Sequence, residues 1–154
     1  MKRIIYIVLI CIILLLSGCS NYSYFVDVPV TQLPNDTSPE EVVRIYLKYL
    51  SENNKNGILS VLLERQKAWR TFEKEDFVEK LEVYSIESVK DNSVNSETIE
   101  EFGSENVSEV KVSFKIKYKY NGFNQGHEDK QIDWNFWLIR ESPESPWKIY
   151  DWGI

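Results

Sequence analysis

The chain has 154 residues, with 18 lysines and arginines against 24 aspartates and glutamates, a formal charge of −6 and 14% aromatic residues. That acidic balance argues against nucleic acid as a partner, because a phosphate backbone selects a cationic surface. One histidine and two cysteines exclude the common zinc sites, and a Ser-His-Asp triad would need that histidine, His127, as its base.

Lys2 and Arg3 precede an uncharged apolar run over residues 4–16. A bilayer span needs about 20 apolar residues, so the run has the length of a signal-peptide core rather than of a membrane helix. Leu16-Ser17-Gly18-Cys19 follows at once and resembles the lipobox of bacterial lipoproteins. The resemblance implies cleavage between Gly18 and Cys19, acylation of Cys19, and display outside the cytoplasmic membrane with the lipid bilayer as partner. Two or more acyl chains hold durably where one does not. Removal of residues 1–18 takes away two cations and no acids, so the charge falls to −8. Cys11 leaves with the signal and Cys19 is modified, so the exported part has no thiol to pair and must stand on its core. Eleven asparagines, with much isoleucine and lysine, fit an AT-rich Gram-positive host.

Residues 19–37 read as a tether, turn-rich at Pro34-Asn35-Asp36 and strand-like around Tyr24 but interrupted by Pro29. Behaving as coil it would span roughly 20–25 Å, though its aromatics could equally pack on the domain. Ser38-Pro39-Glu40-Glu41 has the form of a capping box with proline at the first helical position. Val42, Val43, Tyr46, Leu47, Tyr49 and Leu50 then recur at helical spacing. After an Asn56-Gly57 break, Ile58, Leu59, Val61, Leu62 and Leu63 suggest a second, short helix. A third is expected over 73–81, burying Phe72, Phe77, Val78 and Leu81.

The period then changes. Residues 81–89 alternate loosely, and 91–106 read as a long polar loop. Val110, Val112, Phe114, Ile116, Tyr118 and Tyr120 alternate with Lys111, Ser113, Lys115, Lys117 and Lys119, the pattern of a strand with one wet face. That lysine row reads as a solvated sheet face or an edge guard. His127 falls in a turn, Asn121-Gly122-Phe123-Asn124-Gln125-Gly126-His127, as a solvated loop side chain. A strand over 130–141 places Ile132, Trp134, Phe136 and Leu138 on one face and Asp133, Asn135, Trp137 and Ile139 on the other. A hairpin at Ser142-Pro143-Glu144-Ser145-Pro146 leads to a last strand over 147–152. Helices followed by an antiparallel meander give an α+β fold, as one domain over 38–154.

The opening helix, the Asn56-Gly57 break, Asp133-Trp134-Asn135-Phe136-Trp137-Leu138-Ile139 and the closing Trp147-Lys148-Ile149-Tyr150-Asp151-Trp152-Gly153 resemble the nuclear transport factor 2-like superfamily, which includes ketosteroid isomerase. The resemblance implies helices packed in the concave face of a strongly curved antiparallel sheet, a cone with a pocket at its open end, and frequent homodimers. It places no catalytic residue on a matching position. Three functions remain open. A non-catalytic domain would bind a protein or small ligand, with Tyr46, Tyr118, Trp134, Trp137, Asp133, Asp151 and Trp152 as pocket or interface residues. An enzyme would use Asp133 or Asp151 as general base and Tyr46, Tyr118 or Tyr120 as hydrogen-bond donors. A dimerisation or assembly module would use Trp137 and Ile139 on the outer sheet face. The first is the expected one, without catalysis, metal or cofactor.

Overall fold

A computed structural model describes residues 24–30, 32–89, 96–120 and 130–153. Gly18, Cys19 and His127 lie outside these residues, as does the 121–122 turn. The order is α1 (Pro39–Ser51), α2 (Lys55–Val61), α3 (Glu64–Trp69), a 3-10 turn (Lys74–Asp76), β1 (Val78–Ser88), α4 (Ser96–Phe102), a second 3-10 turn (Ser104–Asn106), β2 (Val107–Tyr118), β3 (Ile132–Ile139) and β4 (Lys148–Gly153). The strands form one antiparallel sheet in the order β1-β2-β3-β4. The α+β reading therefore holds.

Helix α1 begins where its cap residues dictate. Ser38 Oγ accepts the Glu41 amide at 3.3 Å, and Pro39 opens the helix. Only half of the expected box forms, because the Glu41 carboxylate turns outward to Arg44 at 3.1 Å. Val42, Val43, Tyr46, Leu47 and Leu50 are buried against the sheet. Their partners from the strands include Val110, Val112, Phe114, Phe136, Leu138 and Ile149, all within 1% of full burial. Burying one such side chain contributes about 1.5–3 kcal/mol.

Asn56-Gly57 is not a break. It lies in the first turn of α2, whose cap is Asn54 Oδ1 on the Gly57 amide at 3.0 Å. Glycine is required there by packing, since a Cβ would sit 2.3 Å from the ring of Tyr49.

The expected helix over 73–81 is replaced by the Lys74–Asp76 turn and the start of β1. What decides is non-local: Val78, Lys80 and Leu81 pair with Tyr118, Lys117 and Ile116. Asn53, at φ +52°, fixes that start, with Nδ2 donating to Val78 O at 2.9 Å and Oδ1 accepting Val78 N at 2.8 Å. The long loop expected over 91–106 also contains structure, α4 and its 3-10 turn, with Thr98 buried and its Oγ1 3.4 Å from the Tyr150 hydroxyl.

The two faces of the sheet differ as the alternation predicts. Val110, Val112, Phe114 and Ile116 turn to the helices. Lys111 and Lys117 lie on the other face, paired with Asp133 at 3.5 Å and Glu79 at 2.8 Å. Because β2 is an interior strand, its lysines form a solvated face and not an edge guard.

The two ends of the sheet are distinct. At one, α1 starts beside the end of β1, where Ser88 Oγ hydrogen-bonds Glu40. Arg140 ties down the same end: Nε donates to Asn106 Oδ1 at 3.1 Å, Nη1 to Pro143 O at 3.1 Å and Nη2 to Glu105 O at 3.0 Å. At the other end lie the start of β1 and β3 and the last residues of β2 and β4. The N-terminal segment docks there. Val26 N donates to Asn53 O at 3.0 Å and Lys55 N to Val26 O at 3.1 Å, while Tyr24 and Phe25 pack on Phe77, Phe72 and Tyr120.

Candidate functional site

A cleft of about 370 Å³ opens at the N-terminal docking end, lined by Gln66, Trp69, Arg70, Thr71, Asp76, Asp151 and Trp152. One wall is α3 and the turn after it. Leu63 N donates to Ile149 O at 3.0 Å, so α3 starts against β4. Gln66 Nε2 then donates to Tyr150 O, and the Arg65 guanidinium lies 3.9 Å over the Tyr150 ring. With α3 held this way, its end delivers Trp69, 83% exposed, to the rim and Arg70 to the wall.

Arg70 Nε is buried without a hydrogen-bond partner, and its guanidinium lies over the Phe72 ring at 5.4 Å. Asp76, 7% exposed, accepts the Glu73 amide at 3.1 Å through Oδ2. The opposite wall is the end of β4, where Asp151 Oδ1 accepts the Trp152 amide at 2.9 Å. Trp152 leads inward through a chain of rings, 6.0 Å from Tyr46, which is 5.7 Å from Phe136.

Two phenols stand behind this wall. Burial pushes the Tyr118 hydroxyl up to about 12, and Tyr46 beside it, Arg70 and Asp76 act on it in turn. Burial likewise raises Tyr46, with Arg70 opposing and Asp76 reinforcing. Both hydroxyls are therefore neutral at pH 7 and able to donate. The cleft thus joins a guanidinium, two carboxylates already engaged with backbone amides, and two indoles. That set suits an amphipathic molecule that offers a hydrogen-bond acceptor to Arg70 and an apolar body to the rings.

The residues singled out from the sequence divide into two groups. Asp151 and Trp152 line the cleft, and Tyr46 and Tyr118 respond to its charges. Trp134 is on the helix-facing side but deeper, 5.3 Å from Phe114 and 6.5 Å from Phe136. Asp133 and Trp137 lie on the opposite face. Asp133 is exposed, and its carboxyl is held low by a hydrogen bond with Ser113 and by Lys111. Trp137 is half-buried, with Nε1 enclosed and without a partner. Asp151 is the register partner of Trp137 and so shares this face at the border of the cleft; the two aspartates have different partners, Asp133 pairing with Lys111 and Asp151 accepting the Trp152 amide.

Sequence reasoning missed Arg70, Asp76, Trp69 and Gln66. Asp76 was hidden by the expected helix, and α3, six residues long, is too short for a period to declare itself. Arg70 offered no local signal, since its role depends on where Leu63 meets Ile149. A second cavity of about 240 Å³ lies near the β3–β4 hairpin, with Arg140 and Lys148 in its lining. Its lysine is satisfied, Nζ donating to Ser60 O at 2.6 Å, and burial followed by Lys67 lowers its pKa. Among the described residues no group of three or more histidines, cysteines, aspartates or glutamates could hold a metal ion, and no helix is long and apolar enough to cross a membrane.

No curated protein and no solved structure matches the chain. The arrangement just described falls almost wholly within residues 40–153, which match the family described as Domain of unknown function (DUF4829), and the chain belongs to that family.

Proposed function

We propose that the chain is an extracytoplasmic lipoprotein, cleaved before Cys19 and anchored through it, whose nuclear transport factor 2-like domain binds a small ligand without transforming it. The lipobox-like Leu16-Ser17-Gly18-Cys19 supports the anchor. The α+β order, with helices on one face of an antiparallel sheet and a cleft at one end, supports the cone-like fold. The observation that carries ligand binding is Arg70 Nε, a buried donor without a partner in the wall of a 370 Å³ cleft. An unsatisfied buried donor costs about 1–3 kcal/mol, and a ligand acceptor would recover that energy.

Binding is favoured over catalysis because the unpartnered group in the cleft wall is a donor, Arg70 Nε, whereas Asp76 and Asp151 are each held in place by a backbone amide. Assembly through the outer sheet face has weaker support, since that face carries the Lys111–Asp133 and Lys117–Glu79 pairs.

Native mass spectrometry of the mature protein, released from its membrane in mild detergent, tests the reading. The expected spectrum shows a non-covalent adduct that Arg70→Met loses. An anionic aromatic probe, anilinonaphthalene sulfonate, should be held by the parent and released by the variant. Absence of any adduct, together with equal dye binding by both proteins, would reject the cleft as a binding site.

A further inference from the structure

The N-terminal segment fixes more than its own position. Phe25 is 7% exposed and 5.1 Å from Phe72, the Tyr24 ring meets Tyr120 at 5.4 Å, and Val26 is paired on both sides through Asn53 and Lys55. Under the anchoring proposed above, only residues 20–23 separate the lipidated Cys19 from this docked segment. Five residue steps of fully extended chain reach roughly 17 Å. A domain of this length has a radius of gyration of about 13 Å, hence a diameter of roughly 35 Å. The leash is half a diameter long, too short for the Arg140 end to reach the bilayer.

The surface at the docking end has the matching composition. Trp69 is 83% exposed, Val26 47% and Val28 48%; among the described residues the other exposed large apolar side chains, Val83 and Tyr84, are on β1. Lys74 lies 4.2 Å over Tyr120, Lys119 5.5 Å over Phe77 and Lys55 5.5 Å over Phe72. Indoles, phenols and long cationic side chains settle where apolar and aqueous phases meet. Asp27, Glu73 and Glu75 share this end, so leash length and apolar contact do the orienting and net charge does not.

We infer that the cleft end of the domain rests on the outer face of the bilayer, with Trp69 and Val28 at headgroup level and the mouth of the cleft at the lipid–water boundary. The inference rests on the lipoprotein reading, and the two fail separately. The full chain, processed in a lipoprotein-exporting host, is placed in vesicles of phosphatidylglycerol and phosphatidylethanolamine doped with a nickel-chelating lipid. Spin labels go on Val28→Cys and Thr71→Cys at the cleft end, and on Glu87→Cys and Glu144→Cys at the other, all exposed positions.

The expected result is relaxation enhancement several-fold stronger at the first pair than at the second, reduced by Trp69→Ser while the protein still sediments with the vesicles. Equal enhancement at both ends, with Cys19 shown by mass to be acylated, overturns the orientation and leaves the anchor standing. An unmodified Cys19 in protein that stays in solution overturns both. Labels at the cleft end that are free in vesicles but shielded in native membranes would mean that a protein, and not lipid, covers this surface, which also overturns the inference.

Discussion

The two ends of the sheet solve the same problem in opposite ways. At the hairpin end Arg140 spends its guanidinium on Asn106, Pro143 and Glu105 while lying 4.7 Å over the Trp147 ring. At the cleft end a guanidinium of the same chemistry, Arg70, is laid over Phe72 but keeps a buried N–H without an acceptor. A saturated guanidinium ties the fold together and an unsaturated one has a donor to spare, so the contrast sets the two arginines apart by their local chemistry.

The comparison breaks first at Asn53, a side chain that frames the cleft end. Asn53→Ala removes both bonds to the Val78 backbone and places alanine at φ +52°, so a loss of about 3 kcal/mol is expected in chemical denaturation. Val78 amide exchange should rise with it. A loss below about 1 kcal/mol, the net worth of a single hydrogen bond, would show that the β1 start does not depend on this latch.

The arginine pair sharpens the contrast. Arg140→Met should cost about 2 kcal/mol, because three acceptors lose a charged donor. Arg70→Met should leave stability unchanged or raise it, since it deletes an unsatisfied buried group while keeping an apolar stem on Phe72. Equal destabilisation by both variants would erase the distinction.

The effect with no reach at pH 7 is confined to alkali. Tyr118 titrates near 12 in the fold against 10 in the open chain, so the folded state holds its proton more firmly. That stability is fully present below pH 10 and fades as pH rises through 12, by about 2–3 kcal/mol in total. Tyr118→Phe should flatten this arm of the pH–stability curve and leave the curve at pH 7 with its shape unchanged.

How much of this was legible depends on how local the cause is. Helix α1 was readable because Ser38, Pro39 and a run of apolar residues settle it within one segment. The β2 and β3 faces were readable from alternation alone. Residues 73–81 were misread because Phe72, Phe77, Val78 and Leu81 fit a helix nearly as well as a strand, and only pairing with Ile116 and Tyr118 decides. Helix α4 has a single buried residue, Thr98, and so no apolar stripe to betray it. At the cleft, Asp151 and Trp152 were visible as unusual strand residues. Arg70 and Asp76 were not, since nothing in the residues around them says that they will face β4.

On the proposed anchoring, the pairing of Leu62 and Leu63 with Ile149 would have a consequence for copies of the protein on one membrane. Molecules confined to a plane meet by sliding, and side-on encounters become frequent. An open strand edge would then template the next copy. The β4 edge is already occupied over Leu62–Leu63 by the chain's own backbone, which leaves β1 as the side on which neighbours could zip together. There the register slips between Val78 and Lys80 and again between Val83 and Ser85, and Lys80 and Glu82 stand as an ion pair at 2.5 Å between the slips. A broken rhythm with charges across it is a poor template, so crowding in two dimensions need not end in aggregation.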